Sequence, residues 1–510
     1  MTLRVDFRTT LSVLGRVVRY LAVPLLFPTL VALLYGESPL PFLVTAAVAV
    51  TVGMVLVRLD DNPTMSTADG FLFVGLTWLV VPLVGALPYL LAGNGTVAAF
   101  PNALFESMSG FTTTGATVLG EISFERHGRA VLMWRQLTQW LGGMGIVVLV
   151  VAILPELGAG GAALVESESP GLELDKLTPR IAETARALWS LYVVLTVLLA
   201  GLLLLLQALG LAEQMTVYNA VAHALTTMPT GGFSPEARSV EAFSPAVQWL
   251  LTVFMLVAGT NFALLWRVRA GDPERLLYNE EFRTYLAAVV GVGLLTAALL
   301  VTGAGLARTP TEIPQIVGET ERALRHGVFQ AAAIVTTTGY ASMDFNTWSP
   351  PAKYLLLAAM FLGGSAGSAA GSVKIVRWVV GVKTAARELF TTGRPDAIRP
   401  VRTSGEVVDE ETIRGVQVFL FLFAVTFAGS TLLLFLDAVG TGLDLSVLEA
   451  ASATVAILGN VGPGFGLVGP MNGYTAFSSQ AKLFMTLLMW LGRLEIVSVL
   501  VLLTPSFWQS

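Results

Sequence analysis

Cysteine is absent from all 510 residues, which excludes disulfides, thiolate metal sites and thiol redox chemistry. Histidine is nearly absent. His127, His223 and His326 stand far apart with no acidic cluster beside them, so they read as packing or surface residues rather than proton carriers. Charged residues make up only 13% of the chain, and the net charge of −5 comes with no basic tract, so nothing points to nucleic acid. Also missing are a Walker-type glycine loop, a Rossmann fingerprint and any Ser-His-Asp order. Neither an enzyme nor direct coupling to ATP is expected, and no cofactor is expected in this chain.

What is abundant is apolar surface: 54% of residues are hydrophobic and the mean hydropathy is +0.72. Runs such as Leu188 to Leu206, Trp249 to Trp266, Leu286 to Val301 and Val416 to Leu436 approach or exceed the length that crosses a hydrocarbon core of about 30 Å. They do not alternate as barrel strands would. The reading is an all-α polytopic membrane protein. Arg4, Arg8, Arg16 and Arg19 precede the first apolar run much as in a signal peptide, but no small-residue cleavage site follows, so a retained first span is expected.

Four times an apolar half-length stretch runs into a glycine-centred tripeptide and then another hydrophobic helix. The tripeptides are Thr113-Thr114-Gly115, Pro229-Thr230-Gly231, Thr337-Thr338-Gly339 and Asn460-Val461-Gly462, with glycines 116, 108 and 123 residues apart. Two leading helices, about 20–34 and 40–57, then precede four copies of one unit. Each unit has an incoming span (about 71–91, 184–209, 282–301 and 416–436) and a re-entrant half-helix (102–112, 217–228, 324–336 and 448–459). The tripeptide, an outer loop and an outgoing span starting near 130, 245, 351 or 480 complete it. The expected boundaries are 1–66 for the leading helices and 67–175, 176–272, 273–400 and 401–510 for the four pore repeats.

A second echo runs in step. Trp140-Leu141-Gly142-Gly143, Val257-Ala258-Gly259, Phe361-Leu362-Gly363-Gly364 and Trp490-Leu491-Gly492-Arg493 lie 24 to 30 residues after the tripeptide glycines. Small residues in membrane helices ordinarily let neighbours pack closely, but two echoes in register argue for a true repeat. Irregular backbone at membrane depth survives only where it is buried or lines a cavity. Four such loops about one axis make a ring of carbonyl oxygens, which can strip and select a small cation. Glycine adopts the required dihedrals cheaply, the preceding threonines add hydroxyl oxygens or anchor the loops, and half-helix C-termini aimed at the centre favour a cation.

Between Gly363 and Ser372 the third outgoing span reads Gly-Gly-Ser-Ala-Gly-Ser-Ala-Ala-Gly-Ser. So many glycines do not hold a rigid helix, each costing about 1 kcal/mol relative to alanine. The expectation is a flexible loop below the filter that blocks or opens the pathway, through Gly363, Gly364, Ser365, Gly367, Ser368, Gly371 and Ser372. The bland alternative is a small-residue packing face. Lys374 and Arg493 are costly intramembrane cations. Arg493 either lowers ion occupancy under the filter or pairs with a carboxylate, and Lys374 either gates or snorkels. Glu495 is the one clear intramembrane carboxylate in this reading.

Arginine and lysine placement sets orientation. The N-terminus, the loop with Arg267, Arg269, Arg275 and Arg283, and the stretch Lys383, Arg387, Arg394, Arg399 and Arg402 are expected to be cytoplasmic. The acid-rich loop from Glu156 to Arg186 runs against that rule. Glu121, Glu125, Glu236, Glu241 and Asp344 then fall outside, mostly as solvated loop charge.

The phrases SGFTTTGAT, MPTGGF, TTTGY and GNVGPGFG, with FLGGSAGSAAGSVKIVR at Phe361 to Arg377 and WLGRLEIVSVLVL at Trp490 to Leu502, closely resemble the Trk/Ktr/HKT superfamily of potassium transporters over essentially the whole chain. The two extra N-terminal helices and GPGFG make the TrkH branch a closer match than KtrB. The resemblance implies four helix, pore-helix, helix units around a pseudo-fourfold pore, with the third unit's glycine-rich break as the gate and Arg493 as the family's arginine. It also implies a homodimer with one pore per protomer in the cytoplasmic membrane, and a cytoplasmic nucleotide-binding regulatory subunit of the TrkA type. Glycine in all four loops implies potassium as substrate, with a potassium symporter coupled to protons or sodium as the alternative. Pro229 departs from the usual Thr or Ser in the second loop.

Overall fold

The computed structural model describes residues 5–61, 63–145, 181–307, 316–394 and 396–508. Most of the acid-rich loop between Glu156 and Arg186, and the first outgoing span beyond residue 145, lie outside the described residues. Five helices are long and apolar enough to cross a membrane, and one sharply bent pair makes a sixth, among the described residues.

The leading segment begins earlier than its hydropathy suggests and is two helices rather than one. Phe7–Tyr20 is capped by the Asp6 carboxylate, which accepts from the amides of Arg8 and Thr9. The chain turns at 21–25, where Pro24 has no amide to continue the ladder, and resumes as Leu26–Tyr35. Leu40–Val57 returns antiparallel. The first and third of these helices cross with Gly15 facing Gly53: a Cβ on Gly53 would come within 2.6 Å of the Gly15 carbonyl. Backbones approach this closely only where side chains are missing.

The four units follow in order. Incoming spans are Thr67–Gly85 continued by Leu87–Ala92, then Ile181–Ala208, Glu280–Val301 and Glu410–Thr441. Half-helices are Phe100–Phe111, Val217–Thr227, Thr320–Val335 and Val447–Leu458. At 12, 11, 16 and 12 residues they are about 16–24 Å long, too short to span. Each packs on its own incoming span. Three start with a sequence-legible device: Pro101 in the first turn, Thr216 capping the Asn219 amide, and a capping box of Ser446 and Glu449.

Outgoing helices begin at Arg129, Pro245, Pro350 and Ser479 and all stop within or just before the small-residue echo, at Gly143, Ala258, Met360 and Arg493. The second resumes as Phe262–Arg269 after a bend of 101°. The fourth resumes as Val497–Leu502 after Glu495 takes φ +54°. The third is non-helical from Phe361 through Lys374 and resumes as Ile375–Thr392. The third break is the longest among the described residues. The echo glycines make room for half-helix ends, since a Cβ on Gly142 would overlap the Phe111 carbonyl and one on Gly492 the Leu458 carbonyl. A short antiparallel pair, Arg402–Thr403 with Glu406–Val407, sits at the basic end, where Lys383 pairs with Glu280 and donates to the Arg402 carbonyl at 2.7 Å.

Replacing Gly53 by leucine should push the two N-terminal helices apart and cost about 1–3 kcal/mol by overpacking. Thermal unfolding in detergent, followed by size-exclusion chromatography, should show a lowered midpoint.

Candidate functional site

The chain leaves each half-helix by the same backbone turn. Thr113, Thr230, Thr337 and Asn460 take left-handed conformations with φ of +55°, +55°, +55° and +53°, and their amides bond the carbonyls three residues back. Two residues later Gly115, Gly232, Gly339 and Gly462 take φ of +79°, +76°, +74° and +100°. Left-handed non-glycine residues cost of order 1–3 kcal/mol each and cluster where surrounding structure demands them.

This geometry moves the second loop by one residue. Thr230-Gly231-Gly232 is equivalent to Thr113-Thr114-Gly115, and Pro229 is equivalent to Thr112, so the reading of Pro229-Thr230-Gly231 as the second tripeptide is corrected. Consecutive glycines made the register ambiguous in the sequence. Backbone dihedrals resolve it, and the true intervals are 117, 107 and 123 residues. Pro229 instead packs against Gly143, and the first position of the second loop carries a threonine after all.

Packing between loops shows the same register and closes them into a ring. A Cβ on Gly115 would strike the Gly231 carbonyl oxygen, one on Gly232 the Thr338 oxygen and one on Gly339 the Val461 oxygen. One on Gly462 would come within 2.6 Å of the Thr114 oxygen. Each third-position glycine thus meets the middle carbonyl of the next loop, in chain order, and the fourth returns to the first. All four glycines line one cavity on the outer-loop side, with Arg135, Glu236 and Tyr474 on its wall.

Threonine hydroxyls anchor rather than dangle. Thr112 and Thr114 share a 2.7 Å hydrogen bond, as do Thr336 and Thr338, and Thr112 and Thr336 donate back into their half-helices. Asn460 Nδ2 donates to Thr114 Oγ1 at 2.8 Å, joining the fourth loop to the first.

Behind the ring each half-helix carries a strut that sequence reading missed. Glu106, fully buried, accepts from the Val118 amide at 2.8 Å and from Thr117 Oγ1. His223, equally buried, bonds Ser234 Oγ through Nε2 at 3.1 Å, and Gln330 Nε2 donates to the Tyr340 carbonyl at 3.0 Å. The three positions stand 117 and 107 residues apart, the corrected loop intervals. That offset was the available signal. At the fourth equivalent position is Ala453, and its neighbour Ser452 accepts from the Phe465 amide instead.

Glu106 also forms a buried ion pair with Arg135 at 2.6 Å. Arg135 lies 3.5 Å from the Phe233 ring and donates to the Ser234 carbonyl at 3.0 Å. Gln139, one turn on, donates to the Gly231 carbonyl at 2.6 Å and accepts from the Phe233 amide. The first outgoing helix therefore grips the second loop. Glu106 is thus a fully buried carboxylate, whereas Glu495 is only half-buried.

On the opposite side of the ring a second cavity is lined by Gly143, Gly367 to Ser372, Lys374, Arg493 and Glu495. The glycine-serine segment enters it tethered at many points. The Ser365 amide donates to the Gly259 carbonyl at 2.9 Å, the Phe262 amide to the Gly367 carbonyl at 3.0 Å, and the Gly371 amide to Thr337 Oγ1 at 2.7 Å. Gly364 lies against the Gly259 carbonyl, and Gly363 donates to the Val373 carbonyl at 2.8 Å. Ser368 Oγ bonds the Ser365 carbonyl, Ser372 Oγ the Met360 carbonyl. A segment expected to be flexible is thus tethered at several points by hydrogen bonds.

Arg493 reaches Thr113 Oγ1 at 3.0 Å and the carbonyls of Ala369, Gly142 and Gly143. It joins the first loop, the glycine-serine segment and the first outgoing helix. Glu495 pairs with Arg377, and Lys374 is buried with its ammonium on the Ala370 carbonyl rather than snorkelling.

Two predictions test this geometry. Gly232→Ala should cut cation flux by roughly tenfold or more, because its Cβ meets backbone at a left-handed φ. Gly231→Ala should retain more flux, since its Cβ meets the Gln139 side chain; the reverse order in a liposome flux assay would contradict the register. Glu106→Gln should cost about 3–5 kcal/mol by stranding Arg135, whereas Glu106→Gln/Arg135→Leu should lose less than the two single changes combined, as read by thermal unfolding.

The family model for TrkH, a cation transport protein, matches residues 42–510. "Trk system potassium uptake protein TrkH" of Vibrio parahaemolyticus is 36% identical, covering 99% of this chain and 100% of the relative. The Escherichia coli K12 protein of the same name is 34% identical over 99% and 100%. TrkG of that strain is 30% identical over 99% of both chains. The crystal structure of the potassium transporter TrkH from Vibrio parahaemolyticus superposes with a TM-score of 0.82 at 33% identity, covering 99% of this chain and 100% of that one. With this ring of four loops and these full-length matches, the chain belongs to the TrkH family of cation transport proteins.

Proposed function

We propose that this protein takes up potassium through a selective, gated pore, with the four loops as its filter. The observation that carries the reading is the closed ring in which each loop's glycine meets the next loop's carbonyl. It gathers backbone oxygens about one axis at the C-terminal ends of four half-helices, where partial negative charge favours a cation. The names of the relatives, potassium uptake proteins, support the choice of ion. The filter residues are Thr113 to Gly115, Thr230 to Gly232, Thr337 to Gly339 and Asn460 to Gly462. Gly363 to Ser372, with Lys374 and Arg493, form the gate: the segment touches the broken ends of the second and fourth outgoing spans and so lies across the path below the ring.

The same reading includes a homodimer, as the family resemblance implies, and a place in the cytoplasmic membrane with the N-terminus inside, the orientation being argued from arginine and lysine placement. It includes a regulatory subunit of the TrkA type at the basic end, carrying the nucleotide. "Trk system" in the names of the relatives supports further components. Potassium is substrate here, and no resident cofactor is invoked.

Gly115→Ser or Gly339→Ser should lower total cation flux, as at Gly232, and the flux that remains should show a lower potassium-over-sodium ratio in liposomes. An unchanged ratio in both variants would sink the filter assignment. Coupling is tested by the reversal potential in asymmetric potassium and sodium at two pH values. A pore follows the potassium gradient alone, and a symporter does not.

A further inference from the structure

The glycine-serine segment is held from one more side, by a residue on a span that does not break. Glu281 is the second residue of the third incoming span, Glu280–Val301, and its Oε1 accepts from the Ala366 amide at 2.6 Å. Its neighbour Glu280 pairs with Lys383 on the helix that follows the segment and accepts from the Ser404 amide at 3.0 Å. One uninterrupted span end therefore holds both the segment and the helix into which it runs. The Glu281 side chain also borders a cavity at the basic end with Asn261, Arg267, Arg275 and Tyr278.

We propose that Glu281 is the latch of the gate, a positioning residue that keeps the segment across the pathway; this rests on the reading of Gly363 to Ser372 as gate. The other tethers of the segment come from elements that break beneath the ring, at Gly259 and Phe262 or at Arg493, or from the loop at Thr337. These can move with the segment or be remade. The Ala366 bond runs to a fixed post and, with Glu281 ionised, is charge-assisted, the stronger kind. For the segment to leave the axis, the Ala366 amide must leave Glu281. Sequence spacing gives no hint of this, since the two residues are 85 apart.

The full-length protein and its Glu281→Gln variant, which keeps the side-chain shape but loses the charge, are reconstituted in liposomes loaded with potassium. Initial potassium efflux should rise roughly tenfold, the effect of losing one charge-assisted hydrogen bond from the closed state, with the potassium-over-sodium ratio unchanged. Glu281→Asp, with the charge on a shorter arm, should fall between the two. Amide hydrogen exchange in residues 361–374 should be faster in Glu281→Gln. Wild-type efflux together with wild-type exchange overturns the latch. If neither protein conducts potassium, the transport reading fails by itself and the exchange comparison still decides whether Glu281 holds the segment.

Discussion

Everything about the pore region depends on the approach of one glycine Cα to a neighbouring carbonyl oxygen, repeated four times. Gly115, Gly232, Gly339 and Gly462 each sit where any side chain would overlap the middle carbonyl of the next loop. The closure runs in chain order and returns to the start, so the ring is complete within one chain. Half-helices too short to span, loops in strained left-handed conformations and outgoing helices that stop at their own glycines are all arrangements that allow this approach. Backbone so arranged would be intolerable in lipid, and here it is packed in protein or lines a cavity.

Strain in the loops is carried by polar struts buried behind them. Glu106, His223 and Gln330 occupy one position of the repeat with three different chemistries, yet each ties its half-helix to the chain leaving its own loop. The Glu106–Arg135 pair and Gln139 then link the first unit to the second. Four loops of similar backbone thus rest on unequal supports. Asymmetry continues below, where Arg493 and the glycine-serine segment fill the space on one side of the ring.

Most of the architecture was legible. Span and half-helix positions follow from hydropathy and from Pro and Ser/Thr starts to within a few residues, because a lipid-facing helix must satisfy its own backbone and stay apolar for its full length. Hydropathy understates the N-terminal helix Phe7–Tyr20, because arginines dilute its apolar face. The second loop was misplaced by one residue, because spacing alone does not choose between Gly231 and Gly232. The struts were illegible for a different reason: a lone Glu or His in a half-helix looks like a solvent-facing side chain until the corrected offset shows it at one position of the repeat.

By itself the sequence determined that this is a helical membrane protein of four repeats, each with irregular backbone at a glycine and with a glycine-serine break in the third. Those are properties of local composition and period. Only the tertiary structure decided which glycine of the second loop joins the ring and that Arg493 binds carbonyls of the first repeat. It alone placed Glu281 on Ala366 and Arg377 on Glu495. Each of those is a contact between residues 85 or more positions apart. Such pairs are set by how packed helices converge on one axis, which no local pattern encodes.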